Sequence, residues 1–188
     1  MAVYVLTETT AYEPIDLPSA KAYLQVPDSV TASDDVIEMF IDAAKEYVQR
    51  YTSRLIGEYE VVEYFDAWPI DQRYIFRLKF GLATSIDLVE TFDGTDWNTV
   101  DAEDYSADVI GRPARVKMLD IGDYDLGDGI SLIRITYTAG SPTGADMAKP
   151  LVAMMYQLIG FWFSGGLDQD ISDLNYVHQI LKQYTFNR

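Results

Sequence analysis

Asp34 to Leu55, DDVIEMFIDAAKEYVQRYTSRL, carries the cleanest periodic signal in the chain. Ile37, Ile41, Ala44, Val48, Tyr51 and Leu55 follow one another in steps of four and three, with Phe40 and Tyr47 widening the stripe. That spacing predicts one apolar face of a helix. Glu38, Asp42, Lys45, Glu46, Gln49 and Arg50 fall on the opposite, solvated face. Ser33 or Asp34 is expected to cap the start, where Asp35 and Glu38 suit the positive end of the dipole. Arg50 and Arg54 suit the negative end, and Gly57 is the expected stop. At 1.5 Å per residue the helix would span about 30 Å, the width of a small domain, so the remaining elements must pack on it.

Upstream, residues 1–14 read as an extended leader with Tyr4, Leu6 and Tyr12 as anchors. Asp16 then caps a short helix with Pro18 in its first turn and Leu17, Ala20 and Leu24 on one face, stopped by Pro27. Downstream, the period changes from helical to two between Glu58 and Thr138. Expected strands cover Glu58–Ala67, Arg73–Phe80, Ser85–Phe92, Trp97–Val100, Tyr105–Ile110, Ala114–Met118 and Ile130–Thr138, with tight turns at Asp93-Gly94 and Gly111-Arg112-Pro113. Ala139 to Gly144 reads as a loop. Asp146 is then expected to cap a helix with Pro150 in its first turn and Leu151, Met154, Met155, Leu158, Ile159 and Trp162 as a broad apolar surface, ending at Ser164-Gly165-Gly166. A last amphipathic helix, Ser172–Tyr184, places Leu174, Val177, Leu181 and Tyr184 at helical spacing. No repeat or linker interrupts the chain. The expected architecture is therefore α+β: a bundle of N-terminal (1–57) and C-terminal (139–188) helices with an inserted antiparallel β subdomain (58–138), all one domain.

A chain of 188 residues with 48% apolar side chains can bury a normal core. The absence of cysteine removes disulfides, thiolate metal sites and thiol nucleophiles together. The N-terminus lacks the basic region and long apolar core of a signal peptide. The apolar run Leu151–Phe163, broken by Gln157 and Gly160, falls short of the ~20 residues that span a bilayer. Thirty acidic against 14 basic residues give a net charge of −16. Nucleic-acid affinity comes mainly from Lys and Arg at phosphates, so such a surface repels DNA rather than holding it.

Residues that could carry chemistry are few. Asp120, Asp123, Asp125 and Asp128 crowd one loop, and oxygen-rich loops suit calcium. Aligning Asp123 and Asp125 with the first ligands of an EF-hand nevertheless puts Arg134 where the bidentate glutamate belongs. A solvated acidic turn is the plainer reading. His178 is the only histidine, sits on the last helix, and has no strained-turn serine motif to serve, so it reads as a surface or interface residue. Gly122, Gly127 and Gly129 lack the Lys-Ser/Thr end of a phosphate loop. Phe161, Trp162 and Phe163, near Met154 and Met155, read as core or subunit contact before they read as a ligand pocket.

The order of the segments adds a further signal. Leu17-Pro-Ser-Ala-Lys-Ala-Tyr-Leu, Ser33-Asp-Asp-Val-Ile-Glu, Ile41-Asp-Ala-Ala-Lys-Glu-Tyr-Val and Tyr51-Thr-Ser-Arg-Leu resemble the N-terminal signature of the head-to-tail connector (adaptor) family of tailed bacteriophages. Asp104-Tyr105, Ile135-Thr-Tyr-Thr-Ala-Gly, the Pro150-opened helix and Ile180-Leu-Lys-Gln-Tyr184 resemble later segments of that family in the same order. One stretch departs: Phe161-Trp-Phe-Ser-Gly-Gly166 stands where many relatives show an aromatic followed by an acidic-basic pair. The resemblance implies a non-enzymatic virion protein of the neck, assembled in the host cytoplasm, needing no cofactor or metal. It implies a homo-oligomeric ring, with twelve copies expected, docked beneath the portal protein. Such a ring meets a stopper or tail protein below and lets DNA pass without sequence-specific contact. In relatives the C-terminal segment reaches the portal, which here implies Tyr184, Phe186 and Arg188. The competing expectations are a calcium-dependent carbohydrate-binding module or hydrolase using Asp120 to Asp128, and another head- or tail-completion protein.

Overall fold

In chain order the elements are β1 (Val3–Thr10), α1 (Leu17–Leu24), α2 (Asp34–Thr52), β2 (Gly57–Phe65), β3 (Ile75–Arg77), β4 (Ala83–Phe92), β5 (Trp97–Thr99), β6 (Tyr105–Asp108), β7 (Arg115–Met118), β8 (Ile133–Ser141), α3 (Lys149–Gly165) and α4 (Asn175–Tyr184). The computed structural model describes residues 3–69, 73–122, 124–144, 147–165 and 174–185. The fold is α+β: among the described residues four helices form one layer, and two antiparallel sheets form the rest.

The helical core is the one the period-3.6 pattern selects. Ile37, Phe40, Ile41, Ala44 and Val48 of α2 meet Leu151, Met154, Met155, Leu158, Ile159 and Trp162 of α3, closed by Ala20, Val177 and Leu181 from α1 and α4. α3 touches the other three helices, as its wide apolar surface requires. The Asp16 carboxylate accepts the Ser19 amide at 2.8 Å and caps α1 as expected.

The boundaries of α2 differ from the expected ones. Ser33 makes no side-chain cap bond, and the Asp34 carboxylate is taken by the Lys21 ammonium at 2.7 Å. The helix stops at Thr52 because Ser53 turns left-handed at φ 54°, before Gly57 is reached. Arg54 therefore lies beyond the helix, where its Nε donates to the Tyr184 carbonyl at 2.8 Å, and Leu55 joins the β core instead of the helical stripe. Gly57 opens β2 at φ +104°, where a Cβ would sit 2.9 Å from the Thr10 carbonyl.

The large sheet has the order β1-β2-β8-β4-β5 and the small one β3-β7-β6. Val61, Val89, Ile133, Ile135 and Tyr137 from the inner face of the first pack on Phe76, Val116 and Met118 of the second. Glu63 is buried between them, accepting from the Lys79 amide at 2.8 Å and the Tyr137 hydroxyl at 3.2 Å. Val3–Thr10 of the expected leader is the edge strand of the large sheet, paired with β2 from Val3↔Tyr64 to Thr10↔Glu58.

Three other expectations shift. Of Arg73–Phe80 only Ile75–Arg77 is strand, because Arg73 and Tyr74 take φ of 54° and 63°, yet Phe76, Leu78 and Phe80 point inward as the alternation requires. The last strand is displaced: Ile130 is 80% exposed, and β8 runs on through Ala139–Ser141, which was expected to be loop. α4 begins at Asn175, while Ser172, like the proposed cap Asp146, lies outside the described residues. Among the described residues no helix is long and apolar enough to cross a membrane.

Candidate interaction surfaces

Register decides which side of the large sheet is left uncovered. Leu6↔Val61, Tyr4↔Glu63 and the inward Ile135 and Tyr137 belong to the covered face. The other face therefore carries Val3, Val5 and Thr7 of β1, then Tyr64, Val62 and Glu60, then Arg134, Thr136 and Thr138, then Glu90, Leu88 and Ser85. At its centre Arg134 forms a two-pronged ion pair with Glu90, and the Trp97 ring lies over the guanidinium at 4.3 Å. The carboxylate of Glu90 holds the Arg134 guanidinium more firmly protonated than usual, so this cross-strand pair is a fixed feature of the face.

A second surface is the acidic end of the β region. Between residues 87 and 129 the sequence has twelve acidic and three basic side chains, a net −9 and just over half of the chain's −16. The loops that carry them are fastened together. The Tyr124 hydroxyl donates to Asp104 at 2.5 Å and accepts the Asp101 amide at 3.0 Å, and that acceptor raises the phenol's pKa. Gly127 lies so close under the β4–β5 turn that a Cβ there would come within 2.6 Å of the Gly94 amide nitrogen. Asp93 accepts the Thr95 and Asp96 amides and the Asn98 side chain, with the Asp96 amide the largest influence lowering its pKa. Asp108 is likewise lowered, first by Arg115. These carboxylates stay charged and serve their own turns.

The sequence-derived site residues are distributed as follows. Asp120 accepts the Gly122 amide, and Asp125 and Asp128 are exposed; Asp123 lies outside the described residues. Among the described residues no three His, Asp or Glu side chains converge as a metal site. His178 is half-buried, with Nε2 2.6 Å from the Tyr47 hydroxyl and its ring stacked on Tyr51 at 5.5 Å. Burial raises the Tyr47 pKa, with Tyr51 adding to it. The histidine thus ties α4 to α2. Trp162 is buried in the helical core, Phe161 packs against it, and Phe163 is 37% exposed. Tyr184 is half-buried, its carbonyl bonded to Arg54 and its ring beside that guanidinium at 5.9 Å. Phe186 and Arg188 lie outside the described residues.

Sequence reasoning passed over the groove beneath β1. It is lined by Tyr4, Leu6, Arg50, Leu55, Lys79 and Phe80, with the Lys79 ammonium 3.7 Å from the Tyr4 ring centroid and Tyr4 edge-on to Phe80. The only signal available in sequence was an apolar leader, VYVL, too hydrophobic to be solvated alone.

No protein-family model and no curated protein matches the chain. Solved structures do. A chain from the virion of a native gene transfer agent particle superposes with a TM-score of 0.73 at 15% identity, covering 97% of this chain and 96% of that one. A chain from the neck of the empty particle, computed with C6 symmetry, gives 0.69 at 15% identity over 98% and 96%. One from the neck of the native particle, computed with C12 symmetry, gives 0.63 at 16% over 98% and 96%. At that identity the likeness is one of fold, and it runs the full length of both chains.

Proposed function

We propose that this chain is a structural subunit of the neck of a tailed-phage-like particle: one copy of an adaptor ring that sits beneath the portal and continues the DNA channel toward the tail. The observation that carries this reading is the end-to-end likeness of fold to chains of gene transfer agent virions and necks, the necks computed with C6 and C12 symmetry. The order of sequence segments resembling the adaptor family supports it independently. Asp93, Asp108 and Asp120 serve their own turns, which favours a surface of contacts over a reaction centre.

Charge gives the channel its character. DNA must leave through the ring without being held, and an acidic wall repels phosphates at short range, with salt limiting the reach to about 10 Å. We assign the 87–129 end, with its twelve acidic residues, to the channel side. Repulsion between copies of net charge −16 opposes closure, so free rings should gain from added salt and from apolar contact. The C-terminal residues Tyr184, Phe186 and Arg188 are the proposed portal contact, leaving from an α4 end that Arg54 fixes against the rest of the fold.

Native mass spectrometry with and without the portal protein tests this. A portal-bound species containing twelve copies of the 21.3 kDa chain is expected. Six copies joined to a tail component would assign it to another neck position, and a monomer indifferent to both would overturn the reading. Deleting residues 186–188 should abolish portal capture while leaving the ring mass in place. A calcium-dependent rise in thermal midpoint would instead favour the carbohydrate-binding or hydrolase reading.

A further inference from the structure

The large sheet ends in two open edges that differ in character. β1 spends one side of its backbone on β2, and its outer side has no backbone partner among the described residues. Every residue of β1 is exposed, Val3 by 57% and Val5 by 51%, and Glu8 is its only charge. A long edge so poor in charge readily pairs with another strand, since nothing in it blocks approach. At the far end β5 covers only Glu90–Phe92 of β4, and the Val100 amide reaches Val89. Among the described residues Ala83–Leu88 therefore pairs only on its β8 side, leaving a second, somewhat shorter open edge.

Asp87 lies in the middle of this β4 segment, and its carboxylate is taken by the Ser85 and Thr138 hydroxyls on its own sheet face. The edges are complementary in direction. Strands alternate along the order β1-β2-β8-β4, so β1 and β4 run opposite ways. Copies turned about an axis lying along the strands keep those directions, and β1 of one copy then meets β4 of the next antiparallel. Irregularities at Ala83/Ser85 and Ile86/Leu88 bend β4, giving the curvature that a closing arrangement needs.

We propose that β1 pairs with Ala83–Leu88 of β4 on a second copy of this chain, joining copies head to tail. This rests on the ring reading above and specifies which surfaces close the ring.

The cysteine-free chain makes the test direct. Val5 and Ser85 lie on the same sheet face, and Val5→Cys with Ser85→Cys would place two thiols across the proposed joint. A bis-maleimide spanning about 8 Å, enough for a diagonal cross-strand pair, should convert the double variant into a ladder of covalent dimers, trimers and larger species. Each single variant should stay monomeric on a denaturing gel. Val5→Lys should weaken assembly at least tenfold by native mass spectrometry while leaving the thermal midpoint within a few degrees. Covalent dimers from Val5→Cys alone would mean twofold β1–β1 pairing and overturn the proposal. Intact rings without a ladder, or rings indifferent to Val5→Lys, would overturn it while sparing the ring reading. Absence of any oligomer at every salt concentration would remove both.

Discussion

The helical half and the β half treat charge in opposite ways. In the helices, two lysines are taken inside and fully answered: Lys21, 3% exposed, donates to the Asp28 carbonyl, the Val30 carbonyl and Asp34 at 3.2, 2.8 and 2.7 Å. Lys45, 8% exposed, reaches Glu13 at 2.8 Å and Glu8 of β1 at 3.5 Å. Three ammonium protons on three oxygens leave no orphan, so Lys21 acts as a bolt between α1, α2 and their loop. In the β half the buried charges are acids, Glu63 on the Lys79 amide and Tyr137 hydroxyl and Glu90 on Arg134, while Asp93 and Asp120 stay outside on local turns and the outer edge of β1 has no backbone partner among the described residues. The helical layer is a closed frame, and the sheet end is the part proposed to meet neighbours.

The largest blow to that contrast comes from the frame. Leu158→Ala, at a fully buried site in α3, should cost about 3 kcal/mol in urea unfolding, while Val5→Lys at the sheet edge should cost less than about 1. Equal costs would mean that the edge is structural. Next is the seam between the halves. Gly140 has φ +95°, and a Cβ there would lie 2.0 Å from the Gly57 carbonyl, so Gly140→Ala should lose roughly 2 to 3 kcal/mol. Lys21→Met follows, at about 2 kcal/mol, because the Asp34 carboxylate and two carbonyls lose their donor. Retention of the parent midpoint would show that the bolt is dispensable.

The smallest effect is a pH slope. Burial, then the Glu8 acceptor 3.0 Å away, pushes the Tyr59 hydroxyl up to about 12 from an ordinary 10.0. Below pH 10 both folded and unfolded chains keep the proton. As pH rises toward 12 the unfolded chain ionises first, so the stability contributed by Tyr59 is lost across that window. Tyr59→Phe should flatten the decline in thermal midpoint there, and an unchanged slope would assign it to other groups.

Much of the frame was legible because helical period is local. Ile37 to Val48, Leu151 to Trp162 and the Asp16 cap each follow from residues a turn or two apart. What was not legible depends on distant partners or on backbone exceptions. Nothing in VYVLTETT announces that it will lie along residues 58–64, and nothing in the chain near His178 points to Tyr47, 131 positions away. Ser53, Arg73 and Tyr74 adopt left-handed backbone although none is glycine, which shortened α2 and β3 relative to their side-chain patterns. Lys45 sat on the expected polar face, and only the return of Glu13 and Glu8 explains its burial. The acidic loop was visible as composition, but its packing under Gly94 depends on Gly127, which the sequence offered only as part of a glycine set lacking the end of a phosphate loop.

Electron cryo-microscopy of the particle that contains this chain tests the central claim most directly. A closed ring of copies around the DNA channel at the head-tail junction, with the 87–129 acidic loops toward the lumen, is the expected density. A solitary copy, or a ring whose lumen is lined by Lys and Arg, would contradict it.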